Sequence, residues 1–227
     1  MPARGTGPVC CKHTIRTENA VPRCAAFTLL TMALAAALAG CAAQRDAPES
    51  PPSAAAPATE VHTDNQYGFR MRIPPGVTAR PDFAGGYLAS TSWKAYASPD
   101  SRGVPRLALV LPGSNRITSA ELRIGVSDDV REVRQCAQPP QGMAGKVEKV
   151  WVNGIAYARF QAQDAAMSHY LVVDAYRTVH ANRCYALDLM VYGVNPQVYS
   201  PPATAPFTRE EALRQLRAWL AGFELLP

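Results

Sequence analysis

The chain has 227 residues and a formal charge of +5, with 23 Lys and Arg against 18 Asp and Glu. Its charges are dispersed, and no block of like sign remains that would hold nucleic acid or an anionic lipid surface. Its length suits one domain of ordinary size plus accessory segments, and its richness in Ala, Pro and Arg with few Lys fits a GC-rich bacterial genome.

Residues 1–20 carry Arg4, Lys12, Arg16, Cys10 and Cys11 but no apolar run. Val21 is a better start: Val21-Pro22-Arg23, then the apolar run 25–38, then Leu38-Ala39-Gly40-Cys41. A basic residue, a short apolar core and a small-residue cleavage site make an export signal. The run is shorter than the roughly 20 residues a membrane span needs. Leu38-Ala39-Gly40-Cys41 resembles the lipobox of bacterial lipoproteins. That resemblance implies cleavage before Cys41, diacylation of its thiol, and Cys41 as residue one of the mature chain. Two or three acyl chains anchor stably where one is marginal. Ala42, in the position where Asp would retain a protein at the inner membrane, implies an outer-membrane lipoprotein facing the periplasm. Most of the positive excess goes with the leader, since Arg4, Lys12, Arg16 and Arg23 lie upstream of Cys41 against Glu18 alone.

The domain boundaries expected are a signal at 1–40, a lipidated Cys41 with a tether at 41–60, and one folded domain at 61–227. Residues 42–60 are dominated by Ala, Pro and Ser and have no large apolar side chain, too little to offset the entropy of ordering. Residues 67–73 alternate Tyr67, Phe69, Met71 and Ile73 against Gly68, Arg70 and Arg72, a half-buried strand stopped by Pro74-Pro75-Gly76. Further strands are expected at 86–97, 106–111 and 121–126. Ser127 is the expected N-cap of a short helix over 128–134, with Val130 and Val133 as its apolar stripe.

Cys136 and Cys184 are an even pair in an oxidising compartment and are expected to form a structural disulfide. The alternative, a redox or metal pair, lacks C-x-x-C spacing and a neighbouring His pattern. Asn153-Gly154 between apolar runs marks a hairpin that pairs Val152 with Ile155, Val150 with Tyr157, and Glu148 with Arg159. A second hairpin pairs 170–179 with 184–191 across Ala181-Asn182-Arg183. Its core face is expected to hold Leu171, Val173, Ala175 and Val179 with Tyr185, Leu187, Leu189 and Val191, with Arg177 the polar exception. Thr208 and Glu211 form a capping box for a helix carrying Leu213, Leu216, Trp219 and Leu220. Gly222 ends it, and 223–226 reads as a last strand. The whole is an α+β domain, an antiparallel sheet with helices packed against it.

The opening Tyr67-Gly68-Phe69-Arg70-Met71-Arg72-Ile73-Pro74, the antiparallel meander, and the closing Leu216-x-x-Trp219-Leu220-x-Gly222-Phe223-Glu224-Leu225 resemble the PsbP-type domain. That likeness implies a curved sheet sandwiched by helices. It also implies a family without shared catalytic residues, whose members mostly bind or assemble with other proteins.

The chemistry-bearing residues are few. His62, His169 and His180 are too dispersed for a metal site, and no hydrolase, metalloprotease or phosphate-loop motif occurs. No metal or cofactor is expected. Trp93 and Trp151 read as core. The second face of the later hairpin gathers Tyr170, Asp174, Tyr176, Asp188, Met190 and Tyr192, a candidate binding face. Asp174 would lie opposite Asp188 or Met190, depending on register. Two facing carboxylates would be able to share acid and base roles, as in a hydrolase. A solvated outer face or tyrosine-bonded carboxylates is the plainer reading. The function expected is a non-catalytic binding or assembly module, tied to the membrane by its lipid and partnered by another envelope protein. The alternatives are a hydrolase using Asp174 and Asp188, or a small-ligand carrier. The Pro-rich stretch 195–206 is a binding segment or a connector.

Overall fold

The computed structural model describes residues 59–140 and 146–227. The expected signal, Cys41 and nearly all of the tether lie outside those residues.

The described domain is mainly antiparallel β, with two short helices. Strands β1 (Glu60–Asp64), β2 (Phe69–Ile73) and β10 (Phe223–Leu225) form a small sheet in the order β1-β2-β10. A larger sheet is built from β3 (Thr78–Arg80), β4 (Val104–Val110), β5 (Thr118–Ser127), β6 (Glu148–Val152), β7 (Ile155–Ala166), β8 (His169–His180) and β9 (Arg183–Val194). Its order is β3-β4-β5-β9-β8-β7-β6, antiparallel throughout. Helix α1 spans Val130–Gln135 and α2 spans Arg209–Trp219. Helix content is thus lower than an α+β reading suggests.

The Asn153-Gly154 hairpin has the expected register, with Val152 opposite Ile155 and Glu148 opposite Arg159. Asn153 and Gly154 both take positive φ, as a tight two-residue turn requires. The ion pair of Arg159 with Glu148 spans 3.2 Å. The later hairpin differs by one residue. Its turn is Ala181-Asn182 alone, both at positive φ, and His180 pairs with Arg183. A one-residue shift sends every side chain of one strand to the other face. Leu171, Val173 and Ala175 therefore share a face with Cys184, Ala186 and Met190. Tyr185, Leu187, Leu189 and Val191 share theirs with Tyr170, Val172, Asp174 and Tyr176. Both faces of this hairpin are buried, so hydrophobic alternation could not select the register. Val179, expected in the core, is 48% exposed.

One face of the large sheet packs against α2 and the small sheet. Leu122, Ile124, Leu187, Leu189, Leu213, Leu216 and Phe223 lie in that core. The capping box of α2 is present: Glu211 N donates to Thr208 Oγ1 at 3.2 Å and Thr208 N to Glu211 Oε2 at 2.9 Å. The opposite face is covered by residues 81–103 and α1. Phe160, Leu171, Val173 and Met190 meet Ala89 and Ala95 there. Trp93 sits with Cys136, Cys184 and Ala186 around the disulfide. A Cβ at Gly125 would lie 1.7 Å from the Trp93 carbonyl oxygen, so only glycine admits this chain crossing.

The segment 86–97, expected as a strand, is not one. Side chains rising from the sheet take its backbone groups. Arg123 Nη1 donates to the Ser90 carbonyl and Nη2 to that of Ala84, each at 2.6 Å, and Ala95 N donates to Asp188 Oδ2 at 2.7 Å. The N-cap of α1 is Asp129 rather than Ser127; it accepts from Arg131 N at 2.9 Å and Glu132 N at 3.2 Å. Ser127 instead donates to the Arg102 carbonyl. Of the expected stripe, Val133 packs on the disulfide cluster while Val130 is exposed. Trp93 is core, but Trp151 is 66% exposed on β6, an edge strand whose outer face lies beyond the packed layers.

Candidate functional site: a polar cleft beside the disulfide

Cys136 and Cys184 are joined, with Cα atoms 5.6 Å apart. The bond ties the end of α1 to β9. Beside it opens a cleft of about 760 Å³ between residues 94–100, α1 with Gln138 to Pro140, and the sheet. Phe160 and Arg177, both buried, form its floor.

The cleft wall is built from ion pairs between distant parts of the chain. Lys94 Nζ reaches Glu132 Oε2 at 2.5 Å, and Glu132 is almost fully buried. Arg131 grips Asp100 at the rim, donating also to the Asp100 carbonyl at 2.6 Å. Ser98 and Arg131 hydrogen bonds hold the Asp100 carboxyl below the usual range.

Beneath the floor, Arg177 Nη2 stands 2.7 Å from Asp188 Oδ1. The distance makes an ion pair, yet neither atom is aligned for a hydrogen bond. Arg177 Nη1 donates to the Tyr176 carbonyl at 3.0 Å, and its guanidinium lies 5.3 Å from the Phe160 ring centroid. Tyr96, at φ 56°, lines the cleft with its hydroxyl buried and unbonded within the protein. Burial, then the charges of Asp164 and Asp188, push that hydroxyl up to about 12. A cleft walled by polar and charged side chains is suited to binding.

The six residues of the expected binding face divide between the two sheet faces. Tyr170, Asp174 and Tyr176 share the α2 side; Asp188, Met190 and Tyr192 lie on the other. Asp174 stands opposite Leu189, and Asp188 opposite Ala175, so the two carboxylates do not face each other. Asp174 is fully buried and accepts from Arg159 Nε at 2.7 Å, Arg159 Nη2 at 3.0 Å and Arg217 Nε at 2.6 Å. It ties α2 to the sheet and holds the Arg159 guanidinium firmly protonated, chiefly through those hydrogen bonds. Burial, then the charge of Asp174, raises the Tyr176 hydroxyl. Met190 is core. Tyr170 and Tyr192 reach a second, smaller cleft.

His62 lies on β1, His169 stacks with Tyr87, and His180 contacts the Leu226 carbonyl at 3.1 Å. Among the described residues no group of three or more His, Cys, Asp or Glu is placed to hold a metal ion. Among them, too, no helix is long and apolar enough to cross a membrane.

Sequence reasoning missed Arg123 and Glu121. Two charges two residues apart in an otherwise apolar strand share one face, and that was the available signal. It also missed Lys94 and Glu132, whose 38-residue separation leaves no local signature.

The fold and cleft define an antiparallel, mainly-β domain with a polar pocket on one sheet face. Comparison adds little: no family model and no curated protein matches the chain. Among solved structures, cyanobacterial PsbP from Synechocystis sp. PCC 6803 aligns with a TM-score of 0.37 and 11% identity, over 79% of this chain and 99% of that one.

Proposed function

We propose that this chain is a lipid-anchored protein of the bacterial envelope, attached through Cys41 to the outer membrane and facing the periplasm, whose domain is a non-catalytic binding module. The observation that supports binding is the polar cleft floored by Arg177 and Phe160 and walled by Lys94, Ser98, Asp100, Arg131 and Gln135. The lipobox at Leu38–Cys41 supports the anchor. The partner is another envelope protein that presents a polar segment to the cleft. Carboxylates on opposite sheet faces weigh against the hydrolase alternative.

The test is photocrosslinking in living cells from a probe placed at the exposed rim residue Gln138, comparing wild type with Cys41→Ala. The expected result is wild type in the membrane fraction with one defined crosslinked protein, and Cys41→Ala released with that crosslink lost. Membrane retention of Cys41→Ala would refute the anchor.

The cleft volume favours one second reading, a small-ligand carrier, because about 760 Å³ lies within the roughly 300–1,000 Å³ of small-molecule sites. A carrier shows no protein crosslink but a ligand-dependent rise in melting temperature, since a ligand at about 100 times its Kd stabilises the folded state by roughly 2.7 kcal/mol.

A further inference from the structure

A second cleft, of about 200 Å³, lies at the other end of the β8–β9 hairpin, lined by Tyr87, Asn115, Arg116, His169, Tyr170 and Tyr192 together with two glycines. Its walls are aromatic. Tyr87 is 62% exposed and stacks on His169 with centroids 4.4 Å apart. Tyr170 reaches the cleft from the α2 side of the sheet, with the Arg209 guanidinium over its ring 4.0 Å from the centroid, and Tyr192 from the opposite side. Their hydroxyls are engaged, Tyr170 with Thr118 Oγ1 at 2.9 Å and Tyr192 donating to Glu121 at 3.2 Å, so the rings are held in place. Gly193 is required here, since a Cβ would lie 2.1 Å from the Ile117 carbonyl oxygen. That close approach brings Asn115 and Arg116 to the rings.

The charge is one-sided. No carboxylate lines the cleft. Among the described residues none lies within ion-pair distance of Arg116, whose guanidinium sits 6.0 Å from the Tyr199 ring. Asn115 Oδ1 accepts from Ile117 N at 2.8 Å and Thr118 N at 3.1 Å, and among the described residues its amide nitrogen makes no hydrogen bond. The cleft thus offers flat apolar ring surface, neutral polar groups from Asn115 and Ser119, and one guanidinium suited to bidentate recognition of a carboxylate. Its volume is below that of drug-sized sites, and fits a single six-membered ring.

We infer that this cleft binds a pyranose sugar bearing a carboxylate. The Tyr87 and Tyr192 rings cover the apolar C–H face, Asn115 and Ser119 meet hydroxyls, and Arg116 takes the carboxylate. The site is separate from the cleft beside the disulfide, so either proposal can fail alone.

The test is calorimetric titration of the full chain carrying Cys41→Ala with D-glucuronate, D-glucose and acetate at constant ionic strength. Glucuronate is expected to bind about tenfold to a hundredfold more tightly than either of the others, the range of a hydrogen bond to a charged group. Arg116→Gln removes the advantage over glucose and leaves glucose binding unchanged. Tyr87→Ala weakens both sugars and leaves acetate unchanged. Both side chains are at the surface, and an unchanged circular dichroism spectrum confirms the fold. Equal binding of acetate and glucuronate, indifference to Arg116→Gln, or no binding of glucuronate overturns the inference.

Discussion

Arg123 is 1% exposed and bonded at every group it uses: to Glu121 Oε1 at 2.7 Å and to the carbonyls of Ala84 and Ser90. Glu121 in turn accepts from Arg80 at 2.7 Å. Without Arg123, Glu121 keeps only Arg80 as a charged partner and the Ala84 and Ser90 carbonyls lose their donor, so Arg123→Ala is expected to lose about 3 kcal/mol in urea unfolding. Residues 81–103 should loosen with it, visible as faster amide exchange there than on α2. Tyr96 gives a pH test. Its hydroxyl is raised from the ordinary tyrosine value of 10.0 to about 12. The unfolded chain therefore loses this proton first as pH rises, and binds fewer protons than the native state between these values. Stability contributed by Tyr96 is full below pH 10 and is lost as pH climbs toward 12. Urea midpoints of wild type and Tyr96→Phe should diverge across that window, with wild type falling faster.

At the scale of elements, α2 is short and depends on its cap and its apolar face. Thr208→Ala removes both hydrogen bonds of the hydroxyl, one of them half of the capping box, and should cost about 1 kcal/mol in equilibrium unfolding. The Asn153-Gly154 turn was legible because its chemistry is local: both residues accept positive φ, and the two-residue loop dictates the register. Its second role was not legible. Asn153 Nδ2 donates to the Phe223 carbonyl at 2.7 Å, joining this hairpin to the strand that closes the chain 70 residues later. The β8–β9 register failed in the reading for the opposite reason. Three residues fit the turn as well as two by composition, and burial of both faces removed the alternation that chooses between them. Segment 86–97 failed because its amides and carbonyls are answered by Arg123 and Asp188, which come from other strands.

For the molecule as a whole, the disulfide bridges 48 positions and fixes α1 as a wall of the polar cleft. The chain-entropy relation assigns a loop of that length about 4 kcal/mol. Reduction, or the double variant Cys136→Ala and Cys184→Ala, is expected to lower stability by about that amount in urea unfolding. Amide exchange of α1 should rise more than that of α2, which the disulfide does not touch.

The sequence by itself determined what local chemistry can encode: the pairing of Cys136 with Cys184, the two cysteines among the described residues, a tight turn at Asn153-Gly154, and a capped C-terminal helix. Each depends on residues close together or on simple elimination. Tertiary structure alone decided which way the β8–β9 faces turn, that Asp174 and Asp188 stand on opposite sides of the sheet, and that buried charges pin residues 81–103 over one face. These are long-range outcomes. They depend on which distant group satisfies each buried charge and backbone amide, and that choice is made only when the layers close around them.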